Sequence, residues 1–136
     1  ENRRLDLATL RMGTLAFLES SGYGLYIIAE LPEDKNRKPV GQLMMTYEWS
    51  DWRNGVFWWI QSVYVAPERR GRGAFRAMYD HTLATAKTDP KVCGIRLYVE
   101  RENRSAQTVY QRVGLVPSVY TVYEQDFVLG HEAVEK

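Results

Sequence analysis

The sequence predicts a mixed α/β domain, in which helices pack against a central sheet. Three β-rich segments follow one another between residues 25 and 65, and turn-forming residues separate them. A helical pattern, another β-like segment and a second helical pattern then succeed each other between residues 75 and 113. Because the chain has 136 residues, which suffices for one ordinary domain but not for two, we expect a single domain.

The first half of the chain is predicted to contain one helix and three strands. Residues 5–20 place apolar side chains at helical spacing, and the glycines of SSGYG end this helix. The polar residues 32–39 separate the segments LYIIAEL and VGQLMMTYEW, which predicts a hairpin. Asn54 and Gly55 tolerate the positive φ of a tight turn, so a second hairpin leads into VFWWIQSVYV.

The second half is predicted to alternate helices with strands. The residues on one face of its first helix are Phe75, Met78, Tyr79, Thr82, Leu83 and Ala86. The segment VCGIRLYVE alternates apolar and polar side chains, as a strand with one buried face does. A short helix follows over residues 104–113, Gly114 stops it, and SVYTVYEQDF has the composition of a last strand. We assign residues 1–129 to the domain and residues 130–136 to a C-terminal tail.

Glycines and arginines are concentrated where the third strand gives way to the next helix, in VYVAPERRGRGAFRAMYDH. A helix N-terminus presents unpaired N–H groups and a positive dipole end, which together bind phosphate. Gly71 and Gly73 leave the backbone accessible, while Arg69, Arg70 and Arg72 add charged donors. The segment therefore predicts a pyrophosphate cradle. The alternative is a solvated arginine loop, in which the glycines only permit the turn.

Two motifs of the chain resemble those of the GCN5-related N-acetyltransferases. VYVAPERRGRGAF is similar to the acetyl-CoA-binding motif of that family, and NRSAQTVYQRVGL is similar to a later family segment. The residues in register with the later segment are Asn103, Ala106, Tyr110, Gly114 and Leu115. The resemblance covers residues 40–127 and implies a GNAT-like acyl-CoA N-acyltransferase fold. In that fold a strand usually precedes the first helix, and we expect this chain to begin after that strand.

The resemblance also implies acetyl-CoA as co-substrate and a set of residues that bind it. Arg70, Gly71, Arg72 and Gly73 would hold the phosphates. The backbone of Val63 and Val65 would pair with the pantetheine arm like an added strand. The later motif would contribute Asn103, Ala106 and Tyr110.

The resemblance assigns a catalytic role to Tyr110, which would protonate the departing thiolate. The backbone N–H of Val65 would stabilise the negative charge that develops on the carbonyl oxygen. The alternative for Tyr110 is an aromatic residue that only fills the buried face of its helix.

Two positions of the chain, Gln61 and Phe75, depart from the family pattern. Many relatives carry glutamate at or near Gln61, and a glutamine cannot accept a proton usefully. The remaining candidates on predicted strands are Glu48, Glu100 and Glu124, with solvent as another route, and we rank Glu48 first. Phe75 stands where relatives carry glycine or alanine, so it either crowds the last phosphate donor or joins the core.

Composition limits the partners and the ligands of the chain. The 18 Lys and Arg against 17 Asp and Glu give no global basic character, so we expect neither nucleic acid nor an anionic membrane as a partner. One cysteine excludes an intramolecular disulfide, and no apolar run approaches the length of a transmembrane helix, so we expect a cytoplasmic protein. No cluster of His, Cys, Asp or Glu residues has the spacing of metal ligands, so we expect no metal. The long apolar last strand predicts a homodimer.

The function expected from these observations is acetyl-CoA-dependent N-acetyltransfer, within the acyltransferase class, to a primary amine of a small molecule or a protein. A group of aromatic residues beside Glu48 and Asp51 could line a pocket for a cationic amine. Its members are Tyr47, Trp49, Trp52, Trp58, Trp59 and Tyr64. Gln61 and Phe75 keep a catalytically silent acyl-CoA sensor as the alternative, whereas the near-neutral charge argues against a nucleotide- or RNA-binding domain.

Overall fold

The computed structural model describes residues 5–128 and confirms the mixed α/β fold. Its elements in chain order are α1 (Leu7–Glu19), β1 (Gly24–Glu30), β2 (Pro39–Ser50), β3 (Gly55–Val65), a 3-10 turn (Pro67–Arg69), α2 (Ala74–Thr88), β4 (Val92–Leu97) and α3 (Arg104–Arg112). Within the described part of the chain, no helix is long and apolar enough to cross a bilayer.

The four strands form one sheet in the order β1-β2-β3-β4. Both predicted hairpins are present, because β1 and β3 each pair with β2 in the antiparallel sense. Asn54, in the turn between β2 and β3, has the positive φ of 46° that the sequence predicted for it. β4 pairs with β3 in the parallel sense, and α2 makes the crossover between them.

The core lies between α2 and one face of the sheet. Its buried residues are Leu43, Met45, Trp58 and Ile60 from the strands and Met78, Tyr79 and Ala86 from α2. Thr82 is completely buried in the same helix, and its hydroxyl donates to the Met78 carbonyl at 2.8 Å, which satisfies it internally. Burial, together with the carboxylate of Asp80, raises the pKa of Tyr79 above its ordinary value, so this hydroxyl stays neutral in the core.

Gly24 allows β1 to approach β2 closely. A Cβ atom at Gly24 would lie 1.7 Å from the backbone oxygen of Met45 and 3.0 Å from the ring of Phe17. The Phe17 ring in turn makes an edge contact with Tyr26 at 5.1 Å, which attaches α1 to the sheet face opposite α2. The first residue of β1 therefore has to be glycine for both the hairpin and α1 to take their places.

The predicted last strand is wrong: residues 116–128 form no strand. The side chains of Val119 and Tyr123 are both 93% exposed, so the segment contacts neither the sheet nor the helices through them. A strand-like composition alone does not produce a strand, because an extended segment also needs a neighbouring strand to pair its backbone N–H and C=O groups. The predicted tail, residues 130–136, lies outside the described residues.

We expect the substitution Gly24→Ala to lower the free energy of unfolding by at least about 2 kcal/mol, because its methyl group overlaps backbone that cannot move independently. The matched control is Gly13→Ala, since a Cβ at this exposed α1 position meets nothing within 4 Å. Better helix propensity should make this control more stable by about 0.5 to 1 kcal/mol. Urea unfolding measures both changes, and a Gly24→Ala protein as stable as the parent would contradict the packing argument.

Candidate functional site

A gap opens in the sheet where β4 separates from β3. The parallel pairing runs from Val56 opposite Val92 to Ile60 opposite Leu97, whereas β3 continues to Val65 with β2 as its neighbour. The edge of β3 over residues 61–65 therefore has no partner strand among the described residues. Exposed strand edges of this kind accept an extended ligand through backbone hydrogen bonds.

A β-bulge marks the start of the gap. Across β2 and β3, Met45 is opposite Ile60 while Met44 is opposite Ser62, so Gln61 is an extra residue in β3. Bulges bend a strand and increase its twist. Since the bulge comes directly after the last pair between β3 and β4, we attribute the separation of the two strands to it.

The hydrogen bonds of β3 define which of its backbone groups are directed into the gap. The Ala66 N–H donates to the Val40 carbonyl at 2.9 Å, so Ala66 is directed towards β2. Successive residues of a strand direct their backbone groups to opposite sides, so the N–H groups of Val63 and Val65 are directed into the gap. The predicted role of these two residues requires this orientation, and their contact with a ligand stays a prediction.

Arg70 has a contact that sequence reasoning missed. Its Nε donates to the Val65 carbonyl at 3.0 Å, which fixes the loop after β3 to the end of that strand. Arg70, which the sequence predicts to bind phosphate, therefore also links the end of β3 to the following loop. Its side chain as a whole stays exposed. The neighbouring Arg72 is exposed as well and adds positive charge at the same end of the gap.

The N-terminus of α2 is left open for an anion. Asp6 and Asn103 cap α1 and α3 with their side chains, whereas Gly73 is the N-cap of α2 and supplies no side-chain hydrogen bond. The φ angles of Gly71 and Gly73 are 69° and 86°, which is left-handed backbone that favours glycine. A Cβ at either position would meet nothing within 4 Å, so the first turn is accessible from outside.

The two residues of the later motif before Tyr110 build the start of α3. The Asn103 side-chain oxygen accepts the Ala106 N–H at 3.1 Å, so the pair forms a helix N-cap. Gln107, which sequence reasoning missed, donates to the carbonyls of Glu100 at 3.1 Å and Arg101 at 2.8 Å. These contacts fix α3 directly after the loop that leaves β4. The predicted contact of Asn103 and Ala106 with the cofactor stays a prediction.

Phe75 and Tyr110 join the two helices that flank the gap. Phe75 makes an edge contact with the half-buried Tyr110 at 5.6 Å between ring centres, and it also lies 6.0 Å from Tyr79. It packs against the core, which is the second of the two possibilities that the sequence left open for it. Gly114, with φ of 91°, ends α3 by bringing the Leu115 N–H to the Tyr110 carbonyl at 3.1 Å.

Gln61 is held by two hydroxyl groups on the sheet face opposite α2. Its amide nitrogen donates to Thr46 Oγ1 at 2.9 Å, and its amide oxygen accepts the Tyr98 hydroxyl at 3.3 Å. Tyr98 follows β4 directly, so this hydrogen bond spans the narrow end of the gap. Neither partner was predicted, because the register between β2 and β3 has to be known before Thr46 can be placed beside Gln61.

Glu48 lies away from the gap and in an ion pair. Its Oε1 accepts a hydrogen bond from Arg96 Nη1 at 2.7 Å, and the Arg96 guanidinium stacks on Phe57 at 3.7 Å from the ring centre. Glu48 is opposite Phe57, which precedes Val63 by six residues, or about 20 Å along a strand. Of the other two predicted bases, Glu100 follows β4 and Glu124 lies in the exposed segment after α3.

The aromatic residues of β2 and β3 do not form one pocket. Trp58 is buried in the core, and Trp59 contacts Tyr98 on the other face at 6.0 Å. Tyr47, Trp49, Trp52 and Tyr64 are exposed. Among residues 5–128, no cluster of His, Cys, Asp and Glu side chains has the arrangement of a metal site.

Comparisons with known proteins identify the fold family. The model of the acetyltransferase (GNAT) family matches residues 6–115. A crystal structure described as a possible acetyltransferase from Clostridium difficile 630 is 38% identical over 93% of this chain and 80% of that chain, with a TM-score of 0.83. No curated protein sequence matches significantly.

Two more distant solved structures share the fold. The aminoglycoside antibiotic 6'-N-acetyltransferase AAC(6')-IG from Acinetobacter haemolyticus has a TM-score of 0.72 at 13% identity, over 91% of this chain and 83% of that chain. The aminoglycoside N-acetyltransferase AAC(6')-Iy, crystallised with CoA, has a TM-score of 0.68 at 13% identity, over 88% of this chain and 87% of that chain. At such identities the likeness concerns the fold alone.

We expect Gly73→Val to raise the dissociation constant for CoA at least about tenfold, because a side chain at the N-cap covers the open N–H groups of α2. Gly114→Val is the control matched for backbone strain, since Gly114 has a similar φ of 91° and also lies in open space. Isothermal titration calorimetry measures both affinities. Equal affinities of the parent and Gly73→Val for CoA would contradict phosphate binding at the N-terminus of α2.

Proposed function

Because the chain belongs to the acetyltransferase (GNAT) family and is an N-acetyltransferase, we propose that it transfers the acetyl group of acetyl-CoA to a primary amine by direct attack of the amine on the thioester. The observation that carries the proposal is the continuity of the gap with the open N-terminus of α2. The edge of β3 over residues 61–65 leads directly to the glycines at 71 and 73. An extended arm that ends in a pyrophosphate fits this succession of backbone donors.

The residues present fit acetyl-CoA as the co-substrate. Val63 and Val65 direct backbone groups into the gap, where the pantetheine arm would lie, and Gly71 and Gly73 would leave room for phosphate oxygens. The exposed Arg72 would add positive charge beside the phosphates. Arg70 contributes both charge and the hydrogen bond to Val65, so it couples the phosphate end of the site to the strand edge.

The transfer forms one C–N bond and breaks one C–S bond. A free amine attacks the carbonyl carbon, the sulfur leaves with the electron pair of the C–S bond, and the nitrogen loses a proton. The Val65 N–H is proposed to stabilise the charge that develops on the carbonyl oxygen, as backbone donors do in acyl transfer. The Tyr110 hydroxyl is proposed to give its proton to the departing thiolate, so that free thiol is released.

The proton of the amine has two proposed destinations. A lysine-like amine, whose ordinary pKa is about 10.4, has to be deprotonated before it attacks. Glu48 is the first candidate, but its carboxylate is paired with Arg96 and lies about 20 Å along the strand from Val63. Transfer of the amine proton to solvent is therefore more consistent with these contacts than transfer to Glu48. Gln61 is proposed to orient the amine through its amide oxygen, which the bonds to Thr46 and Tyr98 hold in place.

The acceptor is proposed to be a primary amine of a small molecule or a protein. The Thr46, Gln61 and Tyr98 side chains supply hydroxyl and amide groups beside the gap, and these suit hydrogen bonding to an uncharged amine. Thiol release from acetyl-CoA with a panel of amines tests the proposal. Tight binding of acetyl-CoA without thiol release for any amine would favour the acyl-CoA sensor instead.

We expect Tyr110→Phe to lower kcat by at least about tenfold with nearly unchanged affinity for acetyl-CoA. The substitution keeps the ring that packs against Phe75 and removes the proposed proton donor. Steady-state kinetics with the best amine and calorimetry with acetyl-CoA measure the two quantities. A Tyr110→Phe enzyme with the parental kcat would leave Tyr110 as a packing residue, and solvent would be the preferred acid.

We expect Gln61→Glu to raise kcat/KM for the amine about tenfold near neutral pH, because it places a carboxylate beside the gap. The Thr46 and Tyr98 hydroxyls can both donate to that carboxylate, so the new side chain fits the same contacts. The control Glu48→Gln tests the rival base and should leave kcat/KM unchanged if solvent takes the proton. A pH profile that is identical for Gln61→Glu and the parent would mean that position 61 does not face the amine.

A further inference from the structure

Two arginines share one aromatic ring on the sheet face opposite α2. Phe57 is on this face because its neighbour Trp58 packs in the core with α2. The Arg96 Cζ lies 3.7 Å and the Arg53 Cζ 5.0 Å from the centre of the Phe57 ring. The ring itself is confined, because it lies over Gly94, where a Cβ atom would come within 2.6 Å of it. Since both distances end at one ring centre, the two Cζ atoms are at most about 9 Å apart, so their like charges repel.

One carboxylate balances only one of these two positive charges. Glu48 Oε1 accepts from Arg96 Nη1 at 2.7 Å, which uses one of the N–H groups of that guanidinium. Asp51, in the same turn as Arg53, accepts the backbone N–H of the next residue at 2.9 Å. In the described part of the chain, no carboxylate lies within ion-pair distance of Arg53. The cluster of Arg53, Arg96 and Glu48 therefore carries an excess of positive charge.

The cluster has the dimensions of a carboxylate site. A carboxylate that accepts one hydrogen bond from each of two guanidinium groups spans about 8–9 Å between their Cζ atoms. Arg53 is exposed and the side chain of Arg96 is 31% exposed, so a ligand can reach both. Glu48 and Phe57 hold Arg96 in place before a ligand arrives, which lowers the entropic cost of binding.

The cluster and the narrow end of the gap lie on the same face of the sheet. Gln61 is four residues after Phe57 in β3, or about 13 Å along the strand, and Trp59 lies between them. On the β4 side, Tyr98 comes two residues after Arg96 and donates to the Gln61 amide oxygen at 3.3 Å. A single extended molecule can therefore contact both the gap and the cluster.

We propose that Arg53 and Arg96 bind a carboxylate of the acceptor whose primary amine is acetylated at the gap. The inference rests on the proposed acetyltransfer and adds the chemical class of its acceptor, an amine with a carboxylate about 10–15 Å away. The excess charge of the cluster is balanced by one such carboxylate. Glu48, which the sequence ranked first as general base, acts here as a positioning residue that holds Arg96.

Three amines of equal length test the charge at the far end of the acceptor. Each has a primary amine on a chain of about ten methylene groups, or about 14 Å when extended, and its other end is a carboxylate, a carboxamide or a second amine. Thiol release from acetyl-CoA gives kcat/KM for each compound. Calorimetry of the same compounds with the CoA-bound protein gives their affinities, so that binding is measured separately from turnover.

Two tetrapeptide amides distinguish a protein acceptor from a small molecule. Both have a free N-terminal amine, and their fourth residue is glutamate in one and glutamine in the other. An extended tetrapeptide spans about 13 Å, so its fourth side chain can reach the cluster when the amine lies at the gap.

Variants at position 53 test the arginine itself. Arg53→Ala removes one guanidinium and leaves the contacts of Arg96 with Glu48 and Phe57 in place. Arg53→Lys keeps the charge but loses the planar arrangement of donors. The matched control is Lys87→Ala, which removes one exposed positive charge in the last turn of α2, on the other face of the sheet.

The proposal predicts that kcat/KM and affinity are at least about tenfold higher for the carboxylate than for the carboxamide, and lowest for the diamine. Arg53→Ala should lose most of this preference, Arg53→Lys should retain part of it, and Lys87→Ala should retain all of it. A preference in the peptide pair alone would identify the carboxylate as an acidic residue of a protein, and one in the first series alone would identify a small molecule.

Equal values for carboxylate and carboxamide in both series would overturn the proposal. So would a preference for the diamine, or a carboxylate preference that Arg53→Ala retains in full. If no compound releases thiol, the proposed acetyltransfer is contradicted. The affinities then decide on the arginine site alone, which an Arg53-dependent preference for the carboxylate supports and equal affinities exclude.

Discussion

The separation of β3 from β4 after the pair Ile60 and Leu97 is the constraint on which the rest of the site depends. A parallel pair that continued to Val65 would satisfy the backbone of β3 and leave no donors for a ligand. The bulge at Gln61 ends that pairing while the antiparallel contacts with β2 continue. The same strand is therefore rigid on one side and open on the other, which is what an extended co-substrate requires.

The groups around the gap are positioned by contacts that link neighbouring elements. Arg70 ties the cradle to the end of β3, and Phe75 ties the first turn of α2 to Tyr110 on α3. Tyr98 reaches from the end of β4 to Gln61 at the bulge. Each contact joins one side of the gap or its cradle to another element, so the helices and strands that would surround acetyl-CoA hold one another in place. Truncation of any of these side chains to alanine should therefore change geometry as well as chemistry.

Most elements could be predicted from the sequence, because their periodicity and their Gly, Asn and Pro residues are local signals. The helices α1, α2 and α3 and both hairpins lie where the patterns placed them. The contacts of Gln61 and Glu48 could not be predicted, since each depends on the register between separate strands. The contact of Arg70 with Val65 is local in sequence, but it depends on the path of the loop after β3, which the arginine-rich sequence does not specify. The segment after α3 was misjudged for a related reason: its composition favours a strand, but its pairing depends on an edge that composition does not reveal.

A titration of the 15N-labelled protein with acetyl-CoA, followed by the backbone amide resonances, tests the central claim most directly. The account predicts that the amides of Val63, Val65, Gly71 and Gly73 shift together and saturably, because these N–H groups line one continuous path. The turn over residues 51–54, at the end of β2 and β3 opposite to Val65, should not respond. Binding that leaves the amides of residues 63–65 unchanged would contradict the claim that the open edge of β3 holds the co-substrate.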